Sequence, residues 1–344
     1  MLGSCRIMKV IFAVAACAVP VAAAAQSETV ANFYKDKQIR IVVGAAAGSD
    51  YDLGTRLLAQ HMSRYIPGNP TFIVQNMTGA GGIRAANYVY NVAPKDGTVL
   101  ADFSRNIPSQ AVLGQKGVRV DPRRMGWIGA TSTPNRICAV RGSSPIRSID
   151  QLFTTELLVG STGVGSAYSI VPTVINKTIG TRFKIIEGYK GLADILIAME
   201  QGEVGGTCQT LNQFKSTYAE MIRKGTVRVL FSVEEEPVTD PPGVPTIFGK
   251  LKTEADRQLF RFVFDATAVF GRPYAFGPDV PAERVAALRA AFIAAVKDPG
   301  LVADAKRQGI DMSYRTAAEL EKYVERLYET PPDVMKKAAA ILVR

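Results

Sequence analysis

Apolar and polar positions along the chain repeat in one order: a short apolar run, a loop of small residues, and an amphipathic stretch. The first apolar run, residues 37–43, is rich in β-branched side chains and ends at Gly44, which is typical of a buried strand. The stretch after it carries Leu53 and Leu57 at helical spacing and ends near Pro67. The pattern therefore predicts a strand, a loop and a helix.

The same order recurs along the chain and indicates the fold class. A strand "TFIVQ", a loop "NMTGAGG", a helix "IRAANYVYNV" and a strand "TVLADFS" follow directly. Short connections of this kind predict parallel strands joined by right-handed crossovers. From Trp127 onwards a second set begins, with "ELLVGSTGVGSAYS" and "FKIIEGYKG". We therefore predict an α/β protein with two lobes, each a mainly parallel sheet flanked by helices, and a cleft between them.

The expected lobe boundaries follow from breaks in this pattern. Extended stretches near residues 130–138 and 227–233 are predicted to cross between the lobes, and the proline-rich "EEEPVTDPPGVP" indicates a surface connection. The helical tail is expected to pack on the first lobe and to add one more strand to it. The predicted domains are a first lobe of residues 26–132 with 233–344 and a second lobe of residues 133–232.

Residues 1–25 have the pattern of an export signal. Arg6 and Lys9 precede an apolar run from Val10, and small residues end at Ala25, where cleavage is predicted. A lipoprotein acylated at Cys17 is the alternative, but the apolar sequence that continues past this cysteine favours the cleaved signal. No other stretch of about 20 apolar residues suggests a membrane span.

The formal net charge of +10 changes little on export, because cleavage removes two cations and leaves +8. The basic residues are scattered, which argues against nucleic acid as a partner and favours anionic solutes or a membrane surface.

Cys138 and Cys208 are the two cysteines that remain after cleavage. They could form a disulfide across neighbouring strands or stay as two buried thiols, and the sequence leaves both open.

Glycine loops follow predicted strands in both halves of the chain. The loop at residues 79–82 lacks the third glycine of a dinucleotide fingerprint, where Arg84 stands, and the loop at residues 163–165 lacks it at Tyr168. We therefore predict no nucleotide and no cofactor. Backbone N–H groups at a helix start still favour an anion, and two such loops would face each other across a cleft.

Catalytic residue sets are absent from the sequence pattern. His61 is the only histidine, it lies on a predicted helix, and neither a Gly-x-Ser-x-Gly elbow nor metal-ligand spacing occurs. We therefore predict no catalytic residue and no metal, and a protein that is not an enzyme. An enzyme acting on a small acid in the same cleft is the alternative.

Two carboxylates, Asp50 and Asp52, follow the first predicted strand. Ser49 can cap the helix that starts there, and Asp52 comes three residues later, near the spacing of a capping box. The helix dipole favours both negative charges. These carboxylates can also accept hydrogen bonds from water or from a ligand.

Several stretches, in this order, resemble the periplasmic substrate-binding proteins of tripartite tricarboxylate transporters, also called Bug proteins. They are "IRIVVGAAAGSDYDLGTRLLAQ", "VQNMTGAGGIRAANYVYNVAPKDGTVL", "GSTGVGSA", "GYKG", "GEV", "RKGTVRVL" and "DPPGVPTI". The resemblance implies a periplasmic, two-lobed binding protein of type II that closes on a small organic carboxylate. It also implies delivery to the membrane subunits of a transporter, by a protein expected to be a monomer.

The resemblance also implies a set of ligand-binding residues. The first lobe contributes two loops and the second lobe contributes two. These residues are Ser49, Tyr51, Asp52, Thr78, Gly79, Ala80, Gly81 and Gly82 from the first lobe, and Thr162, Gly165, Ser166, Tyr189 and Gly191 from the second.

Two positions depart from the family pattern. Asp50 and the bulky Tyr51 stand in a loop that is usually proline- and glycine-rich, which should alter the size or charge of the ligand. Gly205 stands where an aspartate is usual, and Thr207, Cys208 or Gln209 are expected to substitute for it. A binding protein that reports to a membrane sensor is a further alternative to the transporter.

Overall fold

The computed structural model describes residues 29–163, 166–189, 191–211, 220–235, 237–238 and 241–342. The predicted signal peptide, residues 1–25, and the alternative lipoprotein site at Cys17 lie outside the described residues. In the described ranges, no helix is both long enough and apolar enough to cross a membrane.

The strands of the described residues pair into two sheets. In chain order they are Gln38–Val43 (β1), Thr71–Asn76 (β2), Val99–Asp102 (β3), Gly126–Thr131 (β4), Arg136–Arg141 (β5), Leu157–Ser161 (β6), Phe183–Glu187 (β7), Gly206–Thr210 (β8), Val227–Ser232 (β9), Arg272–Phe276 (β10) and Tyr314–Thr316 (β11). The first sheet has the order β11-β4-β10-β3-β1-β2, and the second has the order β7-β6-β8-β5-β9. Two α/β lobes are therefore present, as the sequence predicts.

Helices flank both sheets. Those with described bounds are Val30–Tyr34 (α1), Asp50–Met62 (α2), Ile83–Asn91 (α3), Ile107–Val112 (α4), Ala167–Ile179 (α5), Leu192–Gln201 (α6), Glu254–Phe260 (α7), Ala266–Phe270 (α8), Ala282–Val296 (α9), Pro299–Gln308 (α10), Ala317–Tyr328 (α11) and Pro332–Leu342 (α12). Helices α2 and α3 follow β1 and β2 directly, so the loops between them lie at the carboxyl ends of parallel strands.

Parallel pairing sets the position of these loops. Strand β1 lies between β2 and β3 and pairs with both in parallel, with Ile41 opposite Val74 and Leu100. Ile41 and Leu100 are buried because helices or other strands cover both faces of such a sheet. In the second sheet, β6 pairs in parallel with β7 and β8. The predicted strand, loop and helix order is confirmed at these strands.

Both sheets also contain antiparallel pairs, which corrects the expectation of mainly parallel sheets. Strand β10 runs antiparallel to β3 and β4, and β11 runs antiparallel to β4. Strand β5 runs antiparallel to β8 and β9. An antiparallel strand needs no crossover helix, so extended segments that return from the other lobe or from the tail can add in this direction. The two-lobed α/β class is confirmed, with mixed sheets.

Two extended segments pass side by side between the sheets. Residues 132–135 join β4 to β5, and the chain leaves β9 at Val233, whose amide donates to the Arg136 oxygen at 2.9 Å. Arg136 Nη1 lies 3.2 Å from Glu234 Oε1, and both side chains are buried. A buried ion pair therefore joins the two crossing segments.

The C-terminal tail packs on both lobes. Helix α9 contacts β4 and α2 of the first lobe, whereas α12 contacts α5 of the second. Val334 on α12 and Val171 on α5 belong to one cluster of buried side chains. The lobe bounds proposed from the sequence, residues 26–132 with 233–344 and residues 133–232, stay a prediction.

Candidate functional site

Asp52 ties the first loop, between β1 and α2, to its neighbours. Ser49 Oγ accepts a hydrogen bond from the Asp52 amide at 3.3 Å, so the predicted helix cap is present. The carboxylate accepts bonds from the Gly48 amide (2.8 Å), Arg56 Nε (3.0 Å) and Asn76 Nδ2 (2.9 Å). Burial raises the pKa of this carboxyl, but these bonds outweigh burial and hold its pKa below the ordinary value. Asp52 is therefore ionised and holds the first loop against α2 and β2. Its contact with a ligand stays a prediction.

Asp50 is the counter-ion of a buried arginine. The side chain of Arg272, on β10, has no exposed area, and its Nη1 lies 3.0 Å from Asp50 Oδ1. Its Nε donates to Thr131 Oγ1 at 3.2 Å and its Nη2 donates to the Asp311 oxygen. A Cβ on Gly54 would overlap this guanidinium, so glycine is required there. The negative charge of Asp50 is thus compensated within the protein.

The GAGG loop, residues 79–82, follows β2 and has positive φ angles between 46° and 138° throughout. A Cβ on Gly82 would lie 3.0 Å from the Ser104 nitrogen, closer than side chains usually approach, and in ordinary contact with the Gly44 oxygen at 3.5 Å. Glycine here therefore lets the loops after β1, β2 and β3 meet. Thr78 and the first three residues of the GAGG loop are exposed, which leaves them accessible to a ligand.

The loop after β3 holds Arg105, which the sequence analysis did not single out. Arg105 Nε and its backbone amide donate to Tyr51 Oη at 2.9 Å and 3.2 Å. The Tyr51 hydroxyl in turn donates to the Gly271 oxygen at 3.4 Å. Its segment "FSRNIP" follows the third strand of the unit whose first two loops were singled out, but it lacks the glycines that mark those loops.

The loop after β6 forms part of the second lobe's edge. Ser161 Oγ accepts a bond from the Gly163 amide at 3.1 Å and lies 3.3 Å from Ser166 Oγ. Thr162 is partly buried, and Gly165 lies outside the described residues. The structure therefore brings Ser166 and Thr162 to one loop, and the ligand contacts of these residues stay predictions.

The loop after β7 meets the same edge. The Tyr189 amide donates to the Ser161 oxygen at 3.2 Å, but its hydroxyl donates to Glu203 Oε1 at 2.7 Å. Burial and the nearby carboxylate raise the pKa of Tyr189 to about 12, so the phenol keeps its proton. Gly191 precedes α6 with an extended backbone. The Tyr189 hydroxyl is thus already engaged, and ligand contact by Tyr189 and Gly191 stays a prediction.

Gly205, which stands where the resemblance places an aspartate, directly precedes β8. A Cβ on Gly205 would lie 2.7 Å from Leu157 Cδ1, so a side chain there requires Leu157 to move. Thr207 donates to the Gly160 oxygen at 3.2 Å. Gln209 is 1% exposed, and its Nε2 has no hydrogen-bond partner in the described part of the chain. Among Thr207, Cys208 and Gln209, only Gln209 therefore has a side-chain donor without a partner in the described residues.

Cys138 and Cys208 form a disulfide, the first of the two possibilities that the sequence leaves open. They lie opposite each other on the antiparallel strands β5 and β8, with a Cα–Cα distance of 4.0 Å. Cys208 is therefore unavailable as a substitute for the aspartate.

Asp102 lies at the end of β3 in a buried polar cluster. Thr55 Oγ1 donates to Asp102 Oδ2 at 2.6 Å and lies 3.2 Å from Tyr274 Oη. Asp102 has no exposed area, and its Oδ1 has no hydrogen-bond partner among the residues described. Burial raises the pKa of Asp102 to about 8, against the lowering effects of Thr55 and Arg272. Asp102 therefore holds a proton at neutral pH.

This proton predicts a pH dependence of stability. The native carboxyl has a pKa of about 8 and the unfolded one about 3.9, so its stabilising contribution is complete below about pH 4 and is lost as pH rises through 8. Asp102→Asn keeps an acceptor for Thr55. We expect the free energy of unfolding of wild type to fall more steeply between pH 5 and 7 than that of the variant, by about 1.4 kcal/mol per pH unit. Urea titrations measure both slopes; parallel profiles would contradict the prediction.

Candidate metal ligands do not form a cluster in the described part of the chain. No group of three or more His, Cys, Asp or Glu residues that could hold a metal occurs within the described ranges. His61 Nε2 lies 2.9 Å from Asp304 Oδ2, so the histidine packs between α2 and α10.

Two sheets joined by crossing segments, each with loops at the carboxyl ends of its parallel strands, have the two-lobed fold of periplasmic binding proteins. Solved proteins share this fold. A TctC solute-binding protein from Polaromonas, solved without ligand, has a TM-score of 0.71 at 19% identity, with 88% of this chain and 99% of that chain covered. An R. palustris protein solved with adipate has a TM-score of 0.59 at 20% identity, with 89% and 97% covered.

The sequence comparison gives the family. Residues 55–339 match the tripartite tricarboxylate transporter family receptor, TctC. A UPF0065 protein from Cupriavidus necator is 27% identical over 232 residues, which are 65% of this chain and 68% of that protein. The chain belongs to the TctC family of solute-binding proteins, so the resemblance found in the sequence is confirmed.

Proposed function

We propose that the chain is an exported solute-binding protein that captures a small organic carboxylate in the cleft and delivers it to the membrane subunits of a tripartite tricarboxylate-type transporter. Family membership is the observation that carries this proposal, because it covers residues 55–339 and hence both lobes. The adipate bound by the R. palustris neighbour supports the class of ligand. The export signal predicted for residues 1–25 supports a periplasmic location.

Loop geometry supports anion capture. The three loops of the first lobe meet at Gly82, and the exposed positions of the GAGG loop offer backbone N–H groups at the start of α3. The loops after β6 and β7 meet at Ser161 in the other lobe. Contacts from both lobes would exist together only when the lobes close, so the ligand would shift the population towards the closed form.

A panel of mono-, di- and tricarboxylates tests the binding function. At least one acid is expected to stabilise the protein, by about 2.7 kcal/mol when its concentration is 100 times Kd. Thermal unfolding measures this shift, and the fluorescence of Trp127, the single tryptophan, provides a second signal. A panel in which no acid changes either signal would rule the proposal out.

Gly81→Ala tests whether the ligand binds at the GAGG loop. Its φ of 62° makes alanine strained, and no atom lies within 4 Å of the added Cβ. Gly114→Ala is a matched control after α4, with a φ of 65° and equally open space. Both variants should lose similar stability, but only Gly81→Ala should weaken binding, by about 10-fold or more, because its methyl group occupies the ligand's approach. Equal affinities of Gly81→Ala and wild type for the acid would show that the ligand binds elsewhere.

Uptake of the acid by cells that lack the protein tests delivery to the transporter. We expect these cells to lose the uptake.

A further inference from the structure

Among the described residues, Arg105 has hydrogen-bond donors without an acceptor, whereas the buried Arg272 uses all of its guanidinium nitrogens. Arg272 donates through Nε, Nη1 and Nη2 to protein acceptors. Arg105 donates only through Nε and its backbone amide, both to Tyr51, and its Nη1 and Nη2 have no hydrogen-bond acceptor in the portion of the chain that is described. The outer edge of the Arg105 guanidinium is therefore free to bind an anion in the planar, two-bond manner that carboxylates accept.

Arg105 lies beside the loops that are proposed to bind the anion. It follows Ser104, whose backbone touches Gly82 of the GAGG loop. Its charge also interacts with that of Arg136, where the chain crosses into the second lobe. Arg105 is partly buried. It therefore lies between the anion-binding loops of the first lobe and the segments about which the lobes would close.

Within the described residues, no carboxylate forms an ion pair with Arg105, because the nearby acids are engaged elsewhere or protonated. Asp50 is paired with Arg272, and Glu234 is paired with Arg136. Asp102 carries a proton at neutral pH because burial raises its pKa to about 8. Burial opposes the charge of Arg105, but Tyr51, Asp50 and Asp102 outweigh burial and raise its pKa, so Arg105 stays charged. An anion that enters the cleft can therefore gain a charge-assisted interaction with its free Nη1 and Nη2.

We infer that Arg105 binds one carboxylate of the ligand directly through Nη1 and Nη2, and that Tyr51 positions the guanidinium. The inference rests on the proposed function and narrows it to acids that present a free, ionised carboxylate to Arg105. The Tyr51 hydroxyl accepts two bonds from Arg105 and donates one to the Gly271 oxygen, so its hydrogen-bonding capacity is used within the protein. Tyr51 thus acts through Arg105.

Arg105→Gln and Arg105→Lys test the direct contact. Adipate, malate and citrate serve as probes, together with the monoamides of adipate and malate. Calorimetric titration of any acid that wild type binds should show an affinity about 10- to 100-fold lower in Arg105→Gln. Arg105→Lys, which keeps the charge without the planar fork, should give an intermediate loss. Arg307→Gln removes an equal charge from the exposed face of α10 and should leave affinity unchanged.

Stability without ligand separates binding from folding. In Arg105→Gln the Tyr51 hydroxyl still accepts from the amide of residue 105 and donates to Gly271, so the protein should fold and its melting temperature should change little. If wild type binds an acid and Arg105→Gln binds it equally well, the Arg105 contact is wrong and the proposed function stands. If wild type binds none of the acids, the proposed function fails and the inference fails with it.

A double-mutant cycle tests the positioning role of Tyr51. Tyr51→Phe should lower the affinity for the acid in wild type but should have no further effect in Arg105→Gln, because its effect passes through the guanidinium. It should also reduce the preference for the acid over its monoamide. Additive losses in the two variants would show that Tyr51 acts independently of Arg105.

Discussion

Glu234→Ala is expected to lower the free energy of unfolding by about 3–5 kcal/mol, because it leaves Arg136 buried without a counter-ion. Glu234 also accepts two bonds from the Arg136 amide, at 2.9 Å and 2.7 Å, which the variant loses as well. Burial disfavours both charges, raising the pKa of Glu234 and lowering that of Arg136, so neither can be removed alone without cost. Urea unfolding at pH 7 measures the difference.

Glu235→Ala is the matched control. Glu235 is the next residue and also pairs with an arginine, Arg261, but its side chain is 45% exposed. Exposed ion pairs contribute little, so this variant should lose less than about 1 kcal/mol. Equal losses in the two variants would show that burial does not decide the stability of the pair between the crossing segments.

Reduction of the Cys138–Cys208 disulfide is expected to cost about 4 kcal/mol of stability. The two cysteines are 70 residues apart, and a crosslink over a loop of this length removes much of the conformational entropy of the unfolded chain. Denaturant titrations with and without a phosphine reductant measure the loss. The variant with both cysteines replaced by alanine should not respond to the reductant. A wild-type midpoint that does not change after complete reduction would show that the disulfide contributes no stability.

The local units of the fold were predictable from the sequence. The β-branched run at residues 37–43 and the helical spacing of Leu53 and Leu57 correspond to β1 and α2, because each pattern reflects burial within one element. Ser49 was recognisable as a cap for the same reason, since its partner Asp52 is three residues away.

The pairing of strands that are far apart in the chain could not be predicted from the sequence. Strand β10 lies between β3 and β4, but Pro273 within it argues against a central strand, and Tyr274 pairs with Asp102 across 172 positions of chain. The sequence predicted one more strand from the tail but not its place within the sheet. The partner of Asp50 was hidden in the same way, because Arg272 lies on that strand.

The site was predictable in part. Glycine and small residues mark the loops after β1 and β2, but Arg105 carries no such mark, and its importance depends on which neighbours leave its charge unpaired. Whether a carboxylate such as Asp52 is available to a ligand depends on partners 4 and 24 residues away. Composition and spacing do not contain that information.

The contact between Gly54 and Arg272 has a consequence for exchanging parts between relatives. Gly54 provides the space for the guanidinium, and Asp50 provides its charge partner on the same helix, whereas Arg272 comes from a strand more than 200 residues later. A chimera that takes α2 from a relative with a larger residue at position 54 would displace Arg272 and disturb Thr131 on β4. Asp50, Gly54 and Arg272 should therefore be exchanged together or not at all.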